Sequence, residues 1–191
     1  PNFCFWLDMG TGKTLVSLEL IKYWMGFGDI RKALVLVLSD KSYPTWEAQT
    51  KEYNSGLPIT ALEGSSEDKW KQLYNFDRGI VLSTYMGTLA MCSVKGKKKR
   101  GTKTVSGLLL VEDLIEELCE DTGIFILDES TKAGHSTSLL HKMCYMISER
   151  THIRYALAGR PFGRDPTLMY NQHLIIDRQE TFGLKGMFQA A

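Results

Sequence analysis

At 191 residues, with 43% hydrophobic and 24% charged side chains, the chain has the composition of one well-filled globular domain, not of a disordered or fibrous segment. A net charge of +1 gives no bulk attraction for a polyanion, so any nucleic-acid face must come from local clustering. The four cysteines are scattered and the four histidines lack ligand spacing, which argues against a disulfide scaffold and a structural zinc site; no apolar run has membrane length.

The first predicted element is a strand, Phe3–Leu7. It leads into Leu7-Asp8-Met9-Gly10-Thr11-Gly12-Lys13-Thr14, and a helix over Lys13–Trp24 follows, ending near Gly26 and Gly28. Strand, glycine turn and helix are the context of a phosphate-binding loop. Its glycines let backbone N–H groups approach phosphate oxygens, and the helix N-terminus adds partial positive charge. Met9, Gly10, Thr11, Gly12, Lys13 and Thr14 are therefore the expected nucleotide contacts. Lys13 reaches the terminal phosphates, and the Thr14 hydroxyl is an expected Mg²⁺ ligand. Leu7 stands where the full pattern has its first glycine.

Ala33–Leu38 is a continuous apolar run, as in a strand buried on both faces. A helix over Tyr43–Tyr53 follows, with Pro44 in its first turn. Ile59–Leu62 is a short strand, Ser66–Phe76 a polar helix with Ser66 as its cap, and Gly79–Thr84 the next buried strand. Ser93–Lys103 reads as a basic, glycine-punctuated loop, with six cationic side chains in the nine residues from Lys95. Lys97, Lys98, Lys99 and Arg100 are its candidate phosphate contacts; a solvated surface loop is the alternative. Without interleaved aromatics, such contacts would not read bases.

An amphipathic helix over Leu109–Cys119 leads to the strand Ile124–Leu127, which ends in Asp128-Glu129. Ligands of open α/β sheets bind outside the carboxyl ends of the strands, so this pair is expected to face Lys13 and Thr14. Asp128 is assigned to Mg²⁺, and Glu129 to orienting and deprotonating the attacking water. Lys13 and Glu129 are thus the catalytic candidates. A helix over Ser138–Arg150, a strand over Arg154–Ala158 and a helix over Pro166–Ile176 complete the order. Alternating strands and helices imply an α/β fold, a mostly parallel sheet with helices on both faces.

In this order the motifs resemble the N-terminal RecA-like lobe of superfamily 2 helicases and translocases, and most closely the Snf-type (Swi/Snf-related) ATPases of phage or bacterial type. Asp8–Thr14 is similar to that family's nucleotide loop, which also lacks the first glycine. Ala33–Leu38 with Trp46 and Tyr53 resembles its strand and Trp-bearing helix, although Ser39 replaces the usual proline. Ile80–Tyr85 resembles the strand ending in Tyr beside the nucleic-acid track, so Tyr85 is an expected track contact. Asp128-Glu129-Ser130 with Lys132 resembles its acidic box. Leu157–Pro161 with Asp165-Pro166 and Tyr170-Asn171-Gln172 resembles the next motif, in which Gly159 and Arg160 would couple nucleotide state to nucleic-acid grip. The family has threonines where Ala158 and Arg160 stand, and Arg160 is read as a structural ion pair, with a phosphate contact as the alternative.

The resemblance implies a RecA-like P-loop NTPase that uses ATP and Mg²⁺ and couples hydrolysis to movement on double-stranded DNA. It also implies a second RecA-like lobe supplying arginine fingers. Residues 1–191 would then be one lobe of a longer protein, with adenine contacts upstream of Pro1, weak hydrolysis alone, and a bacterial or phage-infected cytoplasm as its setting. Three other readings stand beside it. These are another superfamily 2 DNA or RNA helicase, a nucleotide-sensing or nucleic-acid-binding module without turnover, and, more remotely, a small-molecule P-loop kinase.

Overall fold

The computed structural model describes residues 2–8, 10–28, 30–53, 56–100, 103–160, 165–178, 180–181 and 183; the side chains of 98–100 and 103–105 are outside this description. Its elements in chain order are β1 (Asn2–Trp6), α1 (Lys13–Phe27), β2 (Lys32–Val37), α2 (Tyr43–Glu52), β3 (Ile59–Ala61), α3 (Ser66–Tyr74), β4 (Gly79–Thr84) and α4 (Tyr85–Met91). They continue with β5 (Ser93–Arg100), β6 (Lys103–Leu110), α5 (Glu112–Cys119), β7 (Thr122–Leu127), α6 (Leu139–Glu149), β8 (Ile153–Ala158) and α7 (Thr167–Asp177).

Six strands form one parallel sheet in the order β1-β8-β7-β2-β4-β3. Every residue of β2, β7 and β8 is buried, because both faces of these strands are covered. Side-chain alternation divides the core in two. Ala33, Val35 and Val37 of β2, with Ile124 and Ile126 of β7, pack against Leu18, Ile21 and Met25 of α1 and Trp46 of α2. Leu34, Leu36, Phe125 and Leu127 face the opposite layer, which holds Met91, Ile115, Ile147 and Ile175 from α4 to α7. The expected α/β architecture is the one observed, and it brings the carboxyl ends of β1, β2, β4, β7 and β8 to one rim.

Several local expectations are corrected. Ser65, not Ser66, caps α3: its hydroxyl accepts from the Asp68 N–H, and Asp68 Oδ2 accepts from the Ser65 N–H at 3.0 Å. Residues 93–100 and Lys103 are strand, not loop. They belong to an antiparallel hairpin, β5–β6, whose register runs from Ser93–Leu110 to Arg100–Lys103. Leu109 and Leu110 accordingly belong to β6, and α5 starts only at Glu112. Among the described residues no helix is long and apolar enough to cross a membrane.

Candidate nucleotide site

The loop after β1 is anchored at its root. Leu7 N–H donates to Ala158 O at 3.1 Å, which extends the β1–β8 ladder by one bond. Thr11 then closes a turn on Asp8, its hydroxyl donating to Asp8 O at 2.7 Å. Gly10 and Gly12 have φ of 78° and 86°, the left-handed region that other residues enter only at a cost. A Cβ at either position would meet nothing within 4 Å, so these glycines are required for backbone conformation, and the space over them is open. Gly12 caps α1 without any side-chain acceptor, which leaves the helix's first N–H groups facing that space. The Lys13 ammonium donates to Leu7 O at 2.9 Å and Asp8 O at 3.1 Å, folded back on its own loop. Thr14 lies half-buried in the first turn of α1. Met9 lies outside the described residues.

The acidic pair is held from the other side of the rim. Asp128 N–H donates to Leu36 O at 2.8 Å, continuing the β2–β7 ladder past the end of β7. One carboxylate oxygen, Oδ2, accepts from the Trp46 indole N–H at 3.3 Å. Burial raises the Asp128 pKa above the ordinary carboxylate range. The Trp46 hydrogen bond and the charge of Lys13 oppose that rise, while the charge of Glu129 adds to it. The loop after β1 and the acidic pair after β7 thus lie at the same carboxyl-end rim of the sheet. Glu129 has φ 51° and ψ 55°, a left-handed conformation unusual for a side chain of its size. A short 3-10 turn, Ser130–Ala133, follows.

These residues fit a magnesium–nucleotide. An anion over Gly10 and Gly12 would meet uncapped N–H groups and an ammonium, and a cation beside Asp128 would relieve a carboxylate that burial disfavours.

Two of the expected contacts are not where the sequence placed them. Tyr85 opens α4 but is only 1% exposed, and its hydroxyl donates to Asp128 O at 2.9 Å. It offers no ring face to nucleic acid; its place is under the acidic pair. Arg160 follows β8 and is exposed, with no ion pair among the described residues, so the favoured ion-pair reading is not what the structure holds. Gly159 lies beside it at the end of β8, one bond from the loop's root. Lys97 is exposed on β5, and the side chains of Lys98, Lys99 and Arg100 lie outside the described residues.

Ser130 and Asn171-Gln172 stand in the sequence as motif residues, but the contact by which they brace the acidic turn was not legible there. Ser130 Oγ donates to Gln172 Oε1, and Asn171 Nδ2 donates to Gly134 O, joining α7 to both ends of the turn. The adjacent polar pair Asn171-Gln172 in the middle of the predicted helix was the available signal. Sequence reasoning also missed a groove of about 560 Å³ at the carboxyl ends of β2, β3 and β4, lined by Ser39, Asp40, Glu63, Lys69, Thr84 and Met86.

The family model for the SNF2-related domain matches residues 5–175, which takes in both halves of this site. The chain belongs to that family. As a SNF2-related domain it shares its fold with the SWI2/SNF2 ATPase core of Sulfolobus solfataricus solved in complex with dsDNA, at 18% identity and a TM-score of 0.70. The match covers 99% of this chain and 34% of that one. The Pyrococcus furiosus Hef helicase domain matches with a TM-score of 0.62 at 17% identity, over 92% of this chain and 34% of its own. T4 UvsW matches with a TM-score of 0.57 at 17% identity, over 90% and 29%. This SNF2-related chain thus spans about a third of the length of these solved proteins. A comparison with curated proteins finds no match.

Proposed function

We propose that this chain is the N-terminal RecA-like lobe of an ATP-dependent translocase on double-stranded DNA, with its nucleotide held between the Gly10–Thr14 turn and Asp128-Glu129. The observation that carries the reading is that the Lys13 loop after β1 and Asp128 after β7 lie at the same carboxyl-end rim of one parallel sheet. Gly10, Thr11 and Gly12, with Met9 by its place in the loop, would cradle the phosphates through backbone N–H groups. Lys13 would exchange its two carbonyl partners for terminal phosphate oxygens. Thr14 and Asp128 would hold Mg²⁺, which when bound neutralises charge on the phosphates. Glu129 would orient a water and take its proton. The water oxygen bonds to the terminal phosphorus while the bond to the ADP oxygen breaks. The groove at the ends of β2, β3 and β4 is the nucleic-acid face we assign to this lobe, replacing Tyr85.

A second RecA-like lobe would complete the site with arginines, a contribution typically worth about 10³–10⁵ in rate, so turnover by this lobe alone should be weak. Ala158 and Arg160 favour one second reading, a nucleotide-sensing module without productive turnover. Calorimetry with ATP and Mg²⁺ tests the site. Lys13→Ala should lose about 10- to 100-fold in affinity, as expected for removing charge-assisted hydrogen bonds. Equal affinity for wild type and variant would remove Lys13 from the site.

A further inference from the structure

The hairpin β5–β6 is not used by the nucleotide site. Six of the chain's 23 lysines and arginines lie between Lys95 and Lys103, and no Asp or Glu occurs from Ser93 to Val111. With a whole-chain charge of only +1, the rest of the protein is net acidic. The chain's net positive charge therefore comes from this one element.

Its build suits an arm. Leu108 and Leu110 seat the base of the hairpin on the core, and Val111 N–H closes that base on Cys92 O at 3.0 Å. Eight cross-strand pairs carry it outward for about 27 Å. Lys95 and Lys97 are exposed, share one side of β5, and have no ion pair among the described residues. Alternate residues of a strand stand about 7 Å apart, close to two phosphate steps of about 3.4 Å along the axis of one DNA strand. With Gly96, Gly107 and Ser106 they line a hollow of about 480 Å³.

We propose that the hairpin Ser93–Leu110 is a second duplex contact, an arm that grips the sugar–phosphate backbone outside the groove at the strand ends and reads no sequence. Its chemistry selects this partner. The sequence from Ser93 to Leu110 contains no aromatic residue to stack on unpaired bases. It also lacks the aromatic-rich apolar face that would seat it in a lipid interface. The arm rests on the proposed function only in taking double-stranded DNA as the track.

The test is a fluorescence anisotropy titration of the 191-residue chain on labelled duplexes of two unrelated sequences, across about 50–200 mM salt. The variant carries Lys97→Ala, Lys98→Ala, Lys99→Ala and Arg100→Ala; a companion replaces the three lysines by arginine. The alanine variant should bind both duplexes at least about tenfold more weakly at low salt. Its log–log salt slope should be shallower by roughly 0.9 for each phosphate that is no longer neutralised, and the arginine companion should behave as wild type. Nucleotide affinity, measured by calorimetry on the same samples, should not change. Unchanged duplex affinity and slope would overturn the arm. So would a loss confined to one sequence, or a loss seen only on phosphatidylserine vesicles. Absence of duplex binding by the wild type would overturn it too, whereas failure of the nucleotide site would appear only in the calorimetry.

Discussion

The Ser130 hydroxyl donates to Gln172 Oε1 at 2.5 Å, and neither side chain is reached by solvent. With the Asn171–Gly134 bond at 2.6 Å, this contact ties α7 to the turn that begins at Glu129. The turn needs such bracing, because a left-handed backbone costs an ordinary residue about 1–2 kcal/mol. Gln172→Ala leaves the Ser130 hydroxyl without that acceptor in a dry site. The expected loss is about 1–3 kcal/mol, read from the midpoint of urea unfolding. An unchanged midpoint would mean that the turn holds itself.

Strain and chemistry separate at Glu129. Glu129→Gly keeps the left-handed conformation at no steric cost, so it should be at least as stable as wild type. Both Glu129→Gly and Glu129→Gln should bind ATP normally. In a chain carrying the second lobe, both should lose roughly 10²–10⁴ in turnover if this carboxylate handles the proton. Near-normal hydrolysis by either variant would assign the proton elsewhere.

Asp128 is held at a cost that metal would offset. Burial raises its pKa in the folded chain, so the folded state favours the neutral acid relative to the unfolded chain. Its contribution to stability is fully present below the ordinary carboxylate pKa and is lost as pH rises through the raised value. Asp128→Asn should therefore raise the apo melting temperature at neutral pH, and this gain should vanish in acid. Addition of Mg²⁺ and nucleotide should reverse the order by stabilising wild type more than the variant. Melting curves across pH that keep a constant difference would contradict the linkage.

Tyr85 gives a prediction of the opposite kind. Its buried hydroxyl supports Asp128 O, so Tyr85→Phe should cost about 1 kcal/mol of stability and leave duplex affinity unchanged. A weakened anisotropy titration at full folding would restore Tyr85 to the nucleic-acid face.

What the sequence made legible follows from burial. Gly79–Thr84 has the bounds expected of it, and the apolar runs of β2, β7 and β8 are strands because both their faces are covered. The glycine turn before α1 and the acidic pair after β7 stand where expected because their signals are local: closely spaced glycines before a helix, and an apolar run ending in two carboxylates. The hairpin has no such local signal. Lys97-Lys98-Lys99-Arg100 lacks the apolar alternation that marks a strand, and its pairing with β6 is cross-strand information. Leu109 and Leu110 are legible as the start of a helix, since apolar residues just before Glu112 fit either period. Tyr85 was misplaced for a related reason. A residue after a strand end can point into the layer below or out to solvent, and periodicity does not choose between them. Trp46 is legible as a helix residue, but its bond to Asp128 joins positions 82 apart in sequence.

Among the described residues β1 lies at the margin of the sheet, with β8 as its neighbour, and Leu7 is pinned to Ala158 just where both strands end. Five register pairs and this last bond hold the two strands side by side along their whole length, so the root of the glycine loop and the end of β8 keep a fixed separation. Gly159 and Arg160 therefore leave the sheet from a point already tied to the loop's first residue, and a substitution that moves one end would carry the other with it.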